Sequence, residues 1–189
     1  MPSKFLKYAG LVASTLLIAF GVGAIAVGVA SRGTVHDTLA QEHITGSDDM
    51  TPAGIAAALK GTDLASIALP TCSVAGKPVN DGASARCFAD YMRIHTLEAT
   101  GGRTYSEMGQ FLTASGKETS DKTLAAKDPK TGQPTPNGAR SIWVTETALA
   151  TALNTSYFAE SVGLFALVMG IALLLTGIGF LVVTVRWLR

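Results

Sequence analysis

Both ends of the chain lack acidic residues, and two long runs within it lack charge of either sign. All fourteen Asp and Glu lie inward of those runs, and only Lys4, Lys7, Arg186 and Arg189 flank them on the outside. Each run is roughly 24 residues, enough to cross a hydrocarbon layer of about 30 Å at 1.5 Å per residue. Neither holds an ionisable residue, which excludes the proton relays, ion pathways and buried counter-ions that mark transporters. Histidine is limited to three and cysteine to two. The chain has no G-x-S-x-G elbow, no H-E-x-x-H and no phosphate-cradling loop, so the common hydrolase, metalloprotease and nucleotide signatures are missing. Internal repeats are absent. Strand signals are confined to residues 67–69 and 142–144, both too short to define a sheet.

What is present is a separation of charge. Residues 32–160 carry eleven Lys and Arg against fourteen Asp and Glu, a balance of −3, while the ends together are +4. Orientation follows the short basic flanks of a span and not the charge of a long loop, so both termini are expected in the cytoplasm and the middle outside it. Tyr8 and Trp187 stand beside the basic residues, where interfacial aromatics belong. Gly28-Val29-Ala30 offers small residues for signal cleavage, yet the apolar stretch 9–30 exceeds a signal core of roughly 7–15 residues, so a retained anchor is expected. The expected fold is mainly α. It is a two-transmembrane-helix hairpin with long helical extensions and a small α-rich extracytoplasmic lobe, divided as 1–31, 32–160 and 161–189.

Cys72 and Cys87 both fall in the exported segment, where disulfides persist, and a bridge between them is expected. Closing a loop of about 15 residues would contribute roughly 3 kcal/mol in the chain-entropy picture. The first helix is expected to run on through residues 34–44 and stop at Gly46. Thr51-Pro52 reads as an N-cap and first helical position, opening a helix over 52–60 that ends at Gly61. Residues 70–82 form a turn-rich connector. Residues 83–100 form the best soluble helix, capped by Asn80 or Asp81 and ended by Gly101-Gly102, with Cys87, Tyr91 and Ile94 on one apolar face. Thr104 and Glu107 match a capping box, predicting a helix to about Ala114. Residues 117–140 read as a polar loop or flap, with one helical turn near Leu124. From Ser141 onward no proline intervenes, and one helix of about 48 residues is expected.

Candidate sites divide by chemistry. His36 and His43, seven apart, lie about 10 Å from each other on a helix, too far to share a metal, and His95 could join either only through tertiary folding. Small residues four apart, Ala24 with Gly28, Ala26 with Ala30, and Ala166 with Gly170, would let helix backbones approach in a membrane. Residues 146–160 are small or polar almost all round, with Thr147, Thr151, Asn154, Thr155, Tyr157 and Phe158 forming a candidate helix–helix interface. The same stretch could instead wall a cavity for a lipid or quinone-like molecule. Asn154-Thr155-Ser156 also fits a glycosylation sequon.

Residues 41–45 (QEHIT), 95–108 (HTLEATGGRTYSEM) and 142–160 (IWVTETALATALNTSYFAE) carry a resemblance to small two-span membrane proteins of actinobacteria. The resemblance covers nearly the whole chain and implies a bacterial plasma-membrane location. Some members carry the label ring-opening dioxygenase; no two-histidine, one-carboxylate iron site can be laid out on the residues here. The expected role is non-catalytic. The chain would be a scaffold, accessory subunit or homo-oligomer of an envelope or respiratory assembly, with lipid, other membrane subunits or itself as partners. No cofactor and no nucleic acid is expected. A carrier or sensor of a lipid- or quinone-like ligand is the alternative, and an extracytoplasmic metalloenzyme using His36, His43 or His95 comes third.

Overall fold

The computed structural model describes residues 2–187, with side chains from 4 to 186; Arg189 and the Trp187 side chain, two of the expected membrane-interface groups, lie outside it. The described elements, in chain order, are α1 (Pro2–Gln41), α2 (Pro52–Ala58), α3 (Gly82–Ala99), a single 3-10 turn (Tyr105–Glu107), β1 (Phe111–Leu112), β2 (Glu118–Thr119) and α4 (Gly138–Trp187). The chain is mainly helical, as expected. Within α1 and α4 lie two stretches long and apolar enough to cross a membrane, Lys4–Gln41 and Gly138–Arg186. Only 17% and 11% of their most apolar windows are buried, so neither is the core helix of a soluble domain.

The chain forms two compact units. A hairpin unit holds α1, residues 80–82 and α4 from Ser156 onward; a lobe unit holds residues 43–79 and 83–155. In the hairpin unit α1 and α4 run antiparallel. Gly28 stands opposite Gly163, Gly21 opposite Gly170, and Ile18 opposite Gly177.

The lobe is built around α3. Its core gathers Met50, Ile55, Leu59, Val74, Cys87, Tyr91 and Ile94, with Tyr91 and Ile55 wholly buried. The Cys72–Cys87 disulfide is formed, and the Tyr91 hydroxyl donates to the Cys72 carbonyl at 2.7 Å. Thr51 caps α2 by accepting the Gly54 N–H at 2.9 Å. At the end of α3, Gly101 and Gly102 take positive φ, and the Gly102 N–H returns to the Leu97 carbonyl at 2.7 Å. This is the left-handed stop that glycine supplies.

Two expectations are corrected. The first helix stops at Gln41, short of Ile44, and His43 turns the chain with φ of 51°. The cause is tertiary: the Gly46 N–H donates to the Lys77 carbonyl and its carbonyl accepts from Gly76, and a Cβ at Gly46 would strike the Val74 carbonyl. The capping box forms, with Glu107 accepting from the Thr104 N–H at 2.6 Å, but it opens one 3-10 turn and not a helix to Ala114. Gly109 lies so close to Thr119 that a Cβ would come within 2.6 Å of its N, and the chain there becomes a small antiparallel hairpin pairing Phe111 with Thr119. Residues 142–144 lie inside α4 and 67–69 are irregular, in keeping with signals too short to define a sheet.

The polar stretch 117–140 is a run of hydrogen-bonded turns. The Asp128 carboxylate accepts from the N–H groups of Lys130 and Thr131 at 2.9 and 2.8 Å, and the backbone links Leu112 to Thr135 and Ala126. Asn137 then accepts the Ala139 N–H at 3.1 Å and starts α4. That is three residues before the expected start.

Candidate interaction surfaces

The hairpin seam has a period of seven. On α1 its buried small positions are Ser14, Gly21 and Gly28; on α4 they are Gly163, Gly170, Gly177 and Thr184. A Cβ built on Gly28 would lie 2.6 Å from the Gly163 carbonyl oxygen, and one on Gly170 would lie 2.8 Å from that of Gly21. A seven-residue recurrence keeps one face of each helix toward its partner, as in a coiled coil, and glycine there lets the backbones touch. Of the residues predicted from four-residue spacing, Gly28 and Gly170 lie in this seam and Ala24 and Ala166 flank it half-buried. Ala26 and Ala30 are exposed, so their pairing is no part of the intramolecular contact.

Just above the seam the hairpin is pinned by polar groups. Ser31 donates to the Ala159 carbonyl at 3.2 Å. The Glu160 carboxylate accepts the Gly82 N–H at 2.6 Å and pairs with Arg32 Nε at 3.3 Å.

In the lobe, the first turns of α4 are fixed by Trp143. Its indole N–H, buried with the ring, donates to the Arg103 carbonyl at 2.8 Å and lies 3.3 Å from Thr100 Oγ1. The Arg93 guanidinium sits 4.1 Å over the ring, its Nη1 3.8 Å from the buried Glu146 carboxylate. Arg140 lies 3.8 Å over the Tyr105 ring and donates to the Met108 carbonyl at 3.2 Å. Beneath them Glu118 receives both Arg103 terminal nitrogens, at 2.6 and 2.9 Å, with the Gly109 N–H and the Asn137 amide. The Arg103 hydrogen bonds, then those from Gly109 and Asn137, pull its carboxyl down to about 2 against the opposing effect of burial.

This scaffold presents an apolar groove of about 530 Å³ lined by Tyr105, Trp143, Val144, Thr147, Ala148 and Thr151. A second depression of about 490 Å³ adjoins it through Tyr105 and Val144. Thr147 and Thr151 were legible in sequence as interface residues; Tyr105 was not, because only tertiary folding brings the 3-10 turn to α4. Val144, Ala148 and Thr151 follow helical spacing and could have been found from it.

The other predicted interface residues, Asn154 and Thr155, are exposed on α4. Their side chains bond back to the helix: Thr151 Oγ1 donates to the Thr147 carbonyl, one Asn154 Nδ2 N–H to Ala150 and Thr155 Oγ1 to Thr151, at 2.6–2.9 Å. In the hairpin unit Tyr157 is half-buried and Phe158 is 68% exposed.

The histidines stand apart in chemistry. His36 is exposed, 3.4 Å from Asp37, and His43 occupies the turn after α1. His95 points Nδ1 at Glu98 (3.0 Å) and Nε2 at Asp49 (3.4 Å). The two carboxylates therefore meet opposite sides of the ring, not a common centre. The Ser47 hydroxyl, and after it His95, holds the Asp49 carboxyl below its usual range. Among the described residues no three His, Cys, Asp or Glu side chains gather as a metal ion would need. No protein-family model, curated protein or solved structure matches the chain.

Proposed function

We propose that the chain is a non-catalytic integral membrane protein that acts by packing against other helices, as a scaffold, accessory subunit or homo-oligomer of an envelope or respiratory assembly. One observation carries this reading: the α4 face around Thr147, Thr151, Asn154 and Thr155 is exposed and uncharged, and its hydroxyl and amide groups are bonded to its own helix. Covering such a face costs less desolvation than its composition suggests, since the threonine hydroxyls and one Asn154 N–H already have partners on the helix. The groove beside it, with Tyr105 and Trp143, supplies the aromatic surface that anchors interfaces.

Two membrane crossings, cytoplasmic termini and an extracytoplasmic lobe complete the proposal. Supporting it are Lys4, Lys7 and Arg186 at the outer ends of the apolar stretches and a disulfide in the intervening segment, the pattern of a chain exported in its middle. The resemblance to two-span actinobacterial proteins adds the bacterial plasma membrane.

Purification in mild detergent followed by native mass spectrometry tests the reading. A defined assembly is expected, and Thr151→Trp should disperse it while Lys122→Trp, on the exposed turn region, leaves it intact. A wild-type monomer, or an assembly indifferent to Thr151→Trp, would overturn it.

A further inference from the structure

The hairpin unit contains a concavity of about 450 Å³ whose wall changes character along both helices. On α1, Val29, Arg32 and His36 follow one another on one face at steps of three and four residues, apolar first and basic after. On α4, Leu167 and Glu160 line the same concavity two turns apart, apolar and then acidic, and Asp81 adds a second carboxylate. The helices are antiparallel, so both gradients point the same way, with the apolar ends toward the uncharged stretches and the charged ends away from them. A ligand matching this wall has hydrocarbon at one end and a polar head at the other.

Charge narrows the head. Arg32 and His36 offer donors, and the ion pair to Glu160 uses one of the five N–H donors a guanidinium carries. Asp81 and Glu160 lie on the same wall and would repel a ligand that is only anionic. A headgroup carrying both a phosphate and an ammonium meets each sign with its opposite.

We infer that this concavity is a binding site for a zwitterionic phospholipid, its phosphate received by Arg32 and His36, its amine facing Asp81 and Glu160, and its acyl chains lying along Val29 and Leu167. The inference rests on the membrane reading above, and it adds a ligand of defined chemistry at a site away from the α4 groove of the lobe.

The test begins with isolated membranes washed in alkaline carbonate; release of the full-length protein would overturn the membrane reading and this site together. Protein that stays is purified, exchanged with equal amounts of phosphatidylethanolamine and phosphatidylglycerol, and weighed by native mass spectrometry. Preferential retention of phosphatidylethanolamine is expected. His36→Gln and Arg32→Gln should each lower it roughly three- to tenfold, the range of one charge-assisted hydrogen bond at a partly exposed site. His36→Gln leaves the Arg32–Glu160 pair untouched, so its effect cannot come from loosening the hairpin, and Lys122→Gln should change nothing. Equal retention of the two lipids, or retention indifferent to both variants, would overturn the site while sparing the membrane reading. Soluble phosphoethanolamine competing as well as the lipid would overturn the assignment to a phospholipid.

Discussion

A Cβ added at Gly21, Gly28 or Gly170 would land 2.6–2.8 Å from a backbone atom of the facing helix; the lobe has such backbone approaches too, at Gly46 and Gly109, and adds a denser set of side-chain ties. There Arg103 grips Glu118, Arg93 and the Arg103 carbonyl hold Trp143, and Cys72 is bonded to Cys87. The difference follows from what each region can gain. On the membrane reading proposed above, helices surrounded by hydrocarbon gain nothing from burying apolar side chains, so backbone proximity and dispersion contacts supply their association. The lobe has a modest core centred on Tyr91 and Ile55, and a small core needs covalent and polar staples.

The largest expected effect tests the lobe's staple. Replacing both Cys72 and Cys87 with Ser should cost the lobe roughly 3 kcal/mol, as for a closed loop of this size. Thermal unfolding followed by tryptophan fluorescence would report it through Trp143, while the far-ultraviolet signal of the hairpin helices persists. Simultaneous loss of both signals would abolish the contrast between the regions.

Next comes the seam. Gly28→Leu should weaken the hairpin by about 1–3 kcal/mol, the usual cost of overpacking. Gly23→Leu, on a position with open space around it, should cost nothing comparable. Resistance to unfolding by sodium dodecyl sulfate separates the two variants, and equal behaviour would show that the seven-residue seam is not what holds the arms.

Trp143→Phe removes the indole N–H from the Arg103 carbonyl, which keeps the Thr100 hydroxyl at 2.7 Å, an expected loss of about 0.5–1.5 kcal/mol in the lobe alone. Urea titration of the variant measures it, and an unchanged midpoint would remove Trp143 as the anchor of α4.

The smallest effect is on pH. Glu118 is held at about 2 against an ordinary 4.5, so its contribution is complete above pH 4.5 and disappears as pH falls through about 2. The lobe's melting temperature should fall across that window, and Glu118→Gln should flatten part of the fall. Other carboxylates with lowered pKa, among them Asp128 and Glu107, supply the remainder. Parallel curves for wild type and variant would refute the assignment to Glu118.

The parts of this fold legible in sequence are those decided within a few residues. Thr51-Pro52 starts α2, Gly101-Gly102 ends α3, and the run free of proline after Asn137 becomes α4, because caps, stops and hydrophobic runs act locally. The errors lie where distant segments decide. Residues 42–44 leave the helix because Gly46 pairs with residues 76 and 77, and residues 109–114 become a hairpin because Gly109 packs on Thr119. No local pattern encodes either contact. The same divide applies to the candidate surfaces: Thr147 and Thr151 follow from composition, but the Arg140–Tyr105 stack that completes their groove comes from turns that only folding brings near α4.

The seven-residue spacing of the seam has a consequence for heredity. What the hairpin requires is vacancies at fixed intervals, namely Gly21 and Gly28 on one arm and Gly163, Gly170 and Gly177 on the other. Exposed apolar neighbours such as Phe20, Val27 and Phe165 can be exchanged for any bulky apolar residue at little cost. Descendants of this chain could therefore diverge in most letters of both arms and still close the same way, so kinship is better sought in the rhythm of the missing side chains than in the identity of those present.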